Sequence, residues 1–247
     1  MKEWALVTGA SSGIGRAVAV ELSKEYDLVL NGRDEARLRQ TAAGCEKGCR
    51  TLIWCFDLGR VEEIAASLAG FIAASKISIS RFVHSAGVSK IMPVNVTRVE
   101  DVRSTFGVNT VAPFEIVRTL SSKRGNSAAL RNVVFVSSAI SRRGAKGHAI
   151  YGASKAALDG MMRGLAVELA PKVRVNSVLP GFVKTPMTEP LLANLDTLKR
   201  LEAQYPLGLG GPKSVADAVS YLLSSRADWI TGHELVVDGG SSIDYTA

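Results

Sequence analysis

Seven short apolar runs of β-type residues, at 4–8, 28–30, 52–56, 82–83, 133–136, 173–178 and 235–237, alternate along the chain with amphipathic stretches. Those stretches, at 14–24, 36–43, 61–74, 99–106, 151–169 and 214–223, carry small apolar residues at helical spacing. Strand–helix alternation of this kind leads to a parallel sheet covered by helices on both faces. Runs that are apolar throughout, as at 133–136, agree with strands buried on both sides. The expected fold class is α/β, a doubly wound parallel sheet of about seven strands. No internal repeat, low-complexity segment or linker interrupts the 247 residues, so one domain is expected over 1–247. The segment 182–211 differs. Pro186, Pro190 and Pro206, with Gly208, Gly210 and Gly211, mark a long excursion from the sheet, expected to serve as a substrate loop or lid.

Composition narrows the function classes. With 47% hydrophobic and 21% charged residues the chain can bury a sizeable core. No apolar run approaches the roughly 20 residues that span a bilayer, and the opening MKEWALVTGA has too short an apolar stretch for a secretory segment. A cytoplasmic protein with no membrane partner is expected. The net charge of +7 favours anionic partners. The basic residues are scattered, however, and no aromatics are interleaved with them, so no nucleic-acid partner is expected. Cys45, Cys49 and Cys55 do not suggest a disulfide framework, and His84, His148 and His233 stand at no ligand spacing; no metal is expected.

The first run passes directly into Thr8-Gly9-Ala10-Ser11-Ser12-Gly13-Ile14-Gly15 and then into a helix. Glycines between a first strand and a first helix let the backbone approach a pyrophosphate, whose charge the free N–H groups and the positive helix end stabilise. Ser11 or Ser12 can cap that helix. The spacing is not G-x-G-x-x-G, and a Gly-rich turn without a ligand is the ordinary alternative. The second strand ends in Asn31-Gly32-Arg33, where a dinucleotide fold places the adenosine ribose. An Arg there offers a planar fork of donors to a 2′-phosphate and so favours NADP; a plain surface Arg is the alternative. Asp57 either accepts from an adenine amino group or caps the segment after Leu58.

Tyr151 and Lys155 are four residues apart at the start of a helix, one turn apart on one face. Moving a phenol from its usual pKa near 10 toward 7 takes about 4 kcal/mol of phenolate stabilisation, part of which a neighbouring cation can supply. Tyr151 would then exchange protons near neutral pH. Ser138 stands just past the C-terminal end of the run 133–136, where ligand sites of open α/β sheets lie. Its hydroxyl can hold a carbonyl oxygen, or simply close a turn.

Thr8-Gly-xxx-Gly13-x-Gly15, Asn109, Ser138, Tyr151-xxx-Lys155, Pro180-Gly181 with Thr185, and the closing Val237-Asp238-Gly239-Gly240 occur in order over almost the whole chain. In this the sequence resembles the short-chain dehydrogenase/reductase family, in its single-domain branch of about 250 residues, and is most similar to β-ketoacyl-acyl-carrier-protein reductases. The resemblance implies a Rossmann-type fold and NADP(H) as cofactor. It implies Tyr151 as general acid in carbonyl reduction, Lys155 as the group that lowers its pKa and holds the nicotinamide ribose, and Ser138 as the polariser of the carbonyl. Asn109 would anchor the water that relays protons to Lys155. Gly9, Ser11, Ser12, Gly13, Ile14 and Gly15 would receive the pyrophosphate, Asn31 and Arg33 the ribose side, Asp57 and Leu58 the adenine, and Ala86 and Gly87 the adenosine. Pro180, Gly181, Val183 and Thr185 would face the nicotinamide, beside Tyr151 and Lys155.

Two departures stand out. The family's usual Asn-Asn-Ala-Gly after the fourth strand reads His84-Ser85-Ala86-Gly87, and the phosphate turn has Ser12 where NADP-dependent relatives carry a basic residue. That leaves Arg33 to recognise a 2′-phosphate largely alone. His84 reads as a sheet-end hydrogen-bonding residue. The expected reaction is NADPH-dependent reduction of a 3-oxoacyl thioester, with Ser138, Ile140, His148, Tyr151, Phe182 and Met187 around the substrate. Arg142, Arg143 and Lys146 would border the mouth and attract an acidic acyl carrier protein or a CoA phosphate, or form a solvated loop. The alternatives are another ketone or alcohol, such as a sugar, polyol, steroid or secondary metabolite, and, from another class, a non-catalytic NADP-binding regulator. The resemblance further implies a homotetramer or homodimer built in part on the helices near 99–120 and 151–169.

Overall fold

The computed structural model describes residues 2–189 and 195–243. Its strands are β1 (Trp4–Thr8), β2 (Asp27–Gly32), β3 (Thr51–Cys55), β4 (Ile79–His84), β5 (Asn132–Val136), β6 (Arg174–Pro180) and β7 (Glu234–Val237). All neighbouring pairs are parallel, in the order β3-β2-β1-β4-β5-β6-β7. The helices are α1 (Gly13–Leu22), α2 (Glu35–Ala43), α3 (Ile64–Ser75), α4 (Val99–Phe106), α5 (Ala112–Ser121), α6 (Lys123–Asn126), α7 (Ala149–Glu168), α8 (Leu195–Ala203) and α9 (Pro212–Leu223).

Because successive side chains of a strand point to opposite faces, each apolar strand feeds two cores. Leu6, Phe82, Val133 and Phe135 join Leu68, Ile116 and Leu158 from α3, α5 and α7 on one face. Ala5, Val7, Leu28, Leu30 and Val134 join Val18, Leu22, Val215 and Val219 from α1 and α9 on the other. Phe82 and Phe135 meet edge to face with ring centroids 6.4 Å apart, and burying each ring contributes about 1.5–3 kcal/mol. At the bottom of the sheet Asp27 receives the Arg50 N–H at 2.9 Å and its Nε at 2.7 Å, tying β2 to the start of β3.

Two features of this fold matter for the site. The chain runs outward from β1 through β2 and β3, then crosses back to β4, so β1 and β4 part at their carboxyl ends and open a crevice there. Second, α4 does not end the helical path. It passes through a π-helical turn, Gly107–Val111, into α5, whose second residue is Pro113. Within that turn the Ala112 N–H donates to the Gly107 carbonyl, five residues back rather than four. Proline has no N–H to give, so Val108 and Asn109 lose a helical donor each.

Part of the segment 182–211 is not a loop. Residues 195–203 form α8, with Leu195, Leu198 and Leu201 at helical spacing. The density of Pro and Gly around this stretch obscures that pattern; residues 190–194, also part of the expected lid, lie outside the described residues.

Candidate active site

The crevice between β1 and β4 continues into a cleft of about 400 Å³. One wall is the turn after β1. Gly9 has φ +66°, a conformation that favours glycine, and Gly15 packs against it. Ser12 occupies the N-cap of α1, but its side chain makes no capping hydrogen bond and the first turn holds no acidic residue, contrary to the capping role expected of Ser11 or Ser12. The first N–H groups of α1 therefore keep their capacity for an anion. Arg16 stabilises the turn from below: its Nη2 donates to the Ser11 carbonyl at 2.6 Å and its Nε to Thr41 Oγ1, while Thr41 donates to the Ala10 carbonyl.

Farther along, Asn31, Arg33 and Arg37 line the cleft beside Asp57 and Leu58. Asn31 is also structural: its Nδ2 donates to the Trp54 and Phe56 carbonyls, joining β2 to β3. Asp57 Oδ1 accepts the Gly59 N–H at 2.9 Å, so it closes a turn while its carboxylate borders the cleft. Arg37 is absent from the sequence reading. It lies in the first turn of α2, past the N-cap Asp34, whereas Arg33 precedes the helix, so no spacing in the sequence marks it and only the placement of α2 beside the cleft brings the two together.

At the other end stand Ser138, Tyr151 and Lys155, with Pro180, Gly181, Val183, Thr185 and Met187 opposite. Ser138 ends the segment after β5, where its Oγ accepts the Ile140 N–H. Lys155 is buried; its Nζ donates to the Val136 carbonyl at 2.8 Å and lies 5.9 Å from the Tyr151 ring centroid. Burial lowers the Lys155 pKa to about 8, against the partly opposing charge of Asp159. Burial also pushes the Tyr151 phenol above its usual 10, and the Ser138 hydroxyl pulls in the other direction. In this geometry Lys155 spends one of its three N–H donors on Val136, and the Ser138 hydroxyl is the group that favours the phenolate by a hydrogen bond.

Asn109 does not line the cleft. It is fully buried in the π-helical turn, where its Oδ1 accepts the Val88 N–H at 2.9 Å and its Nδ2 donates to the Val88 carbonyl and to Ser154 Oγ. The side chain thus fastens the loop after β4 to α7 one residue from Lys155. A Cβ on Gly87 would stand 3.5 Å from Asn109 Oδ1 and 3.6 Å from Lys155 Nζ, which places the two groups around one point.

The expected substrate residues divide. Ser138, Tyr151 and Met187 line this cleft, whereas Ile140 and His148 line a second cavity beside it, of about 490 Å³. Phe182 lines neither; its backbone N–H donates to the Tyr205 hydroxyl at 2.7 Å. The cations at the mouth are less free than their sequence suggested. Arg142 shares Glu234 with Arg163, and Arg143 donates to the Ser241 carbonyl.

A family model described as enoyl-(acyl carrier protein) reductase matches residues 9–242. The chain belongs to the short-chain dehydrogenase/reductase family. Among curated relatives of this family, carbonyl reductase family member 4 of Xenopus tropicalis is 36% identical over 241 residues, covering 95% of each chain. The 3-oxoacyl-[acyl-carrier-protein] reductase of Rickettsia bellii is 34% identical over 239 residues, covering 96% of this chain and 95% of the relative. A solved 4-hydroxyisoleucine dehydrogenase, complexed with NADH, superimposes with a TM-score of 0.90 at 27% identity, covering 98% of this chain and all of that one. As a member of this short-chain family, the protein is an oxidoreductase acting on CH–OH or C=O groups. Among the described residues no helix is long and apolar enough to cross a membrane.

Proposed function

We propose that this protein is an NADP(H)-dependent reductase of a 3-oxoacyl thioester, giving the secondary alcohol. The observation that carries the reading is the juxtaposition in one cleft of Ser138, Tyr151 and Lys155 at one end and Arg33 with Arg37 at the other. The solved relative complexed with NADH supports a nicotinamide cofactor, and the two guanidinium groups at the adenosine end support the 2′-phosphorylated form. Two observations support the fit of such a cofactor: the uncapped start of α1 beneath the glycine turn, and the close approach that Gly9 and Gly15 permit.

In this reading the turn from Gly9 to Gly15 holds the pyrophosphate, Arg33 and Arg37 the 2′-phosphate, and Asp57 and Leu58 the adenine, next to Ala86 and Gly87. When bound, the nicotinamide supplies the hydride. Ser138 Oγ donates to the substrate carbonyl oxygen and fixes its position. Tyr151 gives its phenolic proton to that oxygen as negative charge develops on it. Lys155, held by the Val136 carbonyl, places its cation behind the phenol, where it stabilises the phenolate left after transfer. Asn109 lends a backbone carbonyl that Pro113 cannot satisfy in α-helical register, an acceptor for a water that returns the proton.

The thioester is supported by the likeness to the Rickettsia reductase. Arg142, Arg143 and Lys146 are the cations we assign to an acidic carrier. The likeness to the Xenopus carbonyl reductase favours a second reading, a ketone that is not a thioester. We also infer a homo-oligomer, because Ala153, Ala156 and Gly160 form an exposed stripe of small residues on α7 and Val111 and Phe114 stand exposed near the start of α5. The test is oxidation of NADPH and, separately, NADH with acetoacetyl-CoA, with Tyr151→Phe as control. Turnover preferring NADPH and absent in the variant is expected; no turnover despite tight NADPH binding would move the search to other carbonyl compounds.

A further inference from the structure

His84 ends β4 and is fully buried, in contact with neither end of the cleft. Its Nδ1 lies 3.0 Å from Thr8 Oγ1. That same hydroxyl accepts the N–H groups of Ser85 at 3.2 Å and Ala86 at 3.3 Å. A hydroxyl has one proton to donate and two lone pairs to offer. Both lone pairs are engaged by backbone donors, so the Thr8 proton goes to His84 Nδ1, and the ring must carry its own proton on Nε2.

That Nε2–H has no hydrogen-bond partner of ordinary geometry, though it is wholly shielded from solvent. The group that bears on it is the Val108 backbone, and its effect, to favour the protonated ring, is that of a carbonyl acceptor. Val108 needs such a donor. In an α-helix its carbonyl would receive the Ala112 N–H, but that N–H goes to Gly107; in a π-helix it would receive the next N–H, which Pro113 lacks. A buried donor without an acceptor therefore faces a carbonyl deprived of both its helical donors. Burial, reinforced by the Lys155 cation, keeps the ring neutral, with a pKa near 3.

We propose that His84, as the neutral Nε2–H tautomer locked by Thr8, is a positioning residue that supports the π-helical turn through the Val108 carbonyl and thereby fixes Asn109 beside Lys155. This rests on the catalytic reading of Asn109 and Lys155 given above only where turnover is concerned; the tautomer and the position of Asn109 are independent of it. The role also accounts for a histidine at a strand end that has no access to substrate: the ring spans from Thr8 on β1 to the π-helical turn, with an acceptor at one edge and a donor at the other.

The test combines two variants with NMR on the full chain. The side-chain nitrogen of Gln reaches the place of His Nε2, whereas Asn keeps an acceptor near Thr8 but is too short to reach Val108. His84→Gln is expected to retain kcat within about threefold, and His84→Asn to lose tenfold or more in kcat with the NADPH Kd unchanged, since the defect lies in proton handling. The Asn109 side-chain amide resonance should move in His84→Asn and return in His84→Gln. In the wild-type protein, ¹⁵N NMR of the imidazole should show a protonated Nε2 and a bare Nδ1 from pH 5 to 9. A protonated Nδ1, or an Asn109 resonance indifferent to both variants, overturns the proposal. Should His84→Asn fail to fold, the wild-type tautomer still decides. If no carbonyl compound is turned over while the NMR results hold, the functional reading fails and the positioning role stands.

Discussion

A Cβ on Gly15 would stand 2.2 Å from the carbonyl oxygen of Gly9, so the first turn of α1 and the turn before it touch backbone to backbone. Nothing flexible lies between them to give way. Gly15→Ala is expected to force the two apart and to weaken NADPH binding at least tenfold, a loss of about 1.4 kcal/mol or more. A fluorescence titration of NADPH checks this, with the thermal midpoint recorded beside it; unchanged affinity would mean that the close approach has no part in binding.

Arg33 and Arg37 bring two guanidinium groups to the adenosine end of the cleft. A hydrogen bond to a charged group contributes about 1.5–3 kcal/mol, so each Arg→Ala change should lower kcat/KM for NADPH by one to two orders of magnitude and leave NADH little affected. The ratio of the two cofactors is the quantity to measure. If Arg37→Ala leaves it unmoved, the Asp34 carboxylate 3.5 Å from Arg37 Nε holds that side chain away from the phosphate.

Lys155 titrates near 8 in the folded protein and near 10.4 when unfolded. Between those values the unfolded chain binds more protons, so this residue makes stability rise with pH across that window; its cost is fully present below about 8 and relieved above 10.4. Urea midpoints of wild type and Lys155→Met from pH 7.5 to 10.5 isolate the contribution from thiols that titrate in the same range. The wild type should gain on the variant as pH rises, and a constant gap would show that the ammonium is not destabilised by burial.

Burial pushes the Asp27 carboxyl up, but the hydrogen bonds and charge of Arg50 outweigh it and hold the pKa below 3.8. A depressed carboxylate contributes stability above the unfolded value, and that contribution is lost as pH falls through the folded one. Asp27→Asn is expected to cost about 1–2 kcal/mol near neutral pH, the half-exposed guanidinium being partly screened, and to have progressively less effect as the carboxylate is protonated in acid. Urea denaturation at pH 7 and pH 3 makes the comparison.

Much of this architecture was legible along the chain because the signals are local. Runs such as 133–136 are apolar at every position, as burial on both faces of a parallel sheet requires, and β5 occupies that stretch. The glycine turn and the one-turn spacing of Tyr151 and Lys155 are likewise short-range patterns with a direct geometric meaning. By contrast, α8 went unread because the prolines and glycines around it outweigh three leucines, and Arg37 because its meaning depends on α2 lying beside the cleft.

What the sequence determined by itself was the set of elements, their order and the residues able to carry the chemistry, since helical and strand periodicities act over a few residues. What only the tertiary structure decided were the relations between distant positions. Lys155 donates a hydrogen bond to the Val136 carbonyl, Arg142 shares Glu234 with Arg163, Ile140 and His148 face a neighbouring cavity, and the ring of His84 takes its tautomer from Thr8. Each of these depends on which donor finds which acceptor once water is excluded, and that pairing is settled by packing across the sheet, which no local pattern encodes.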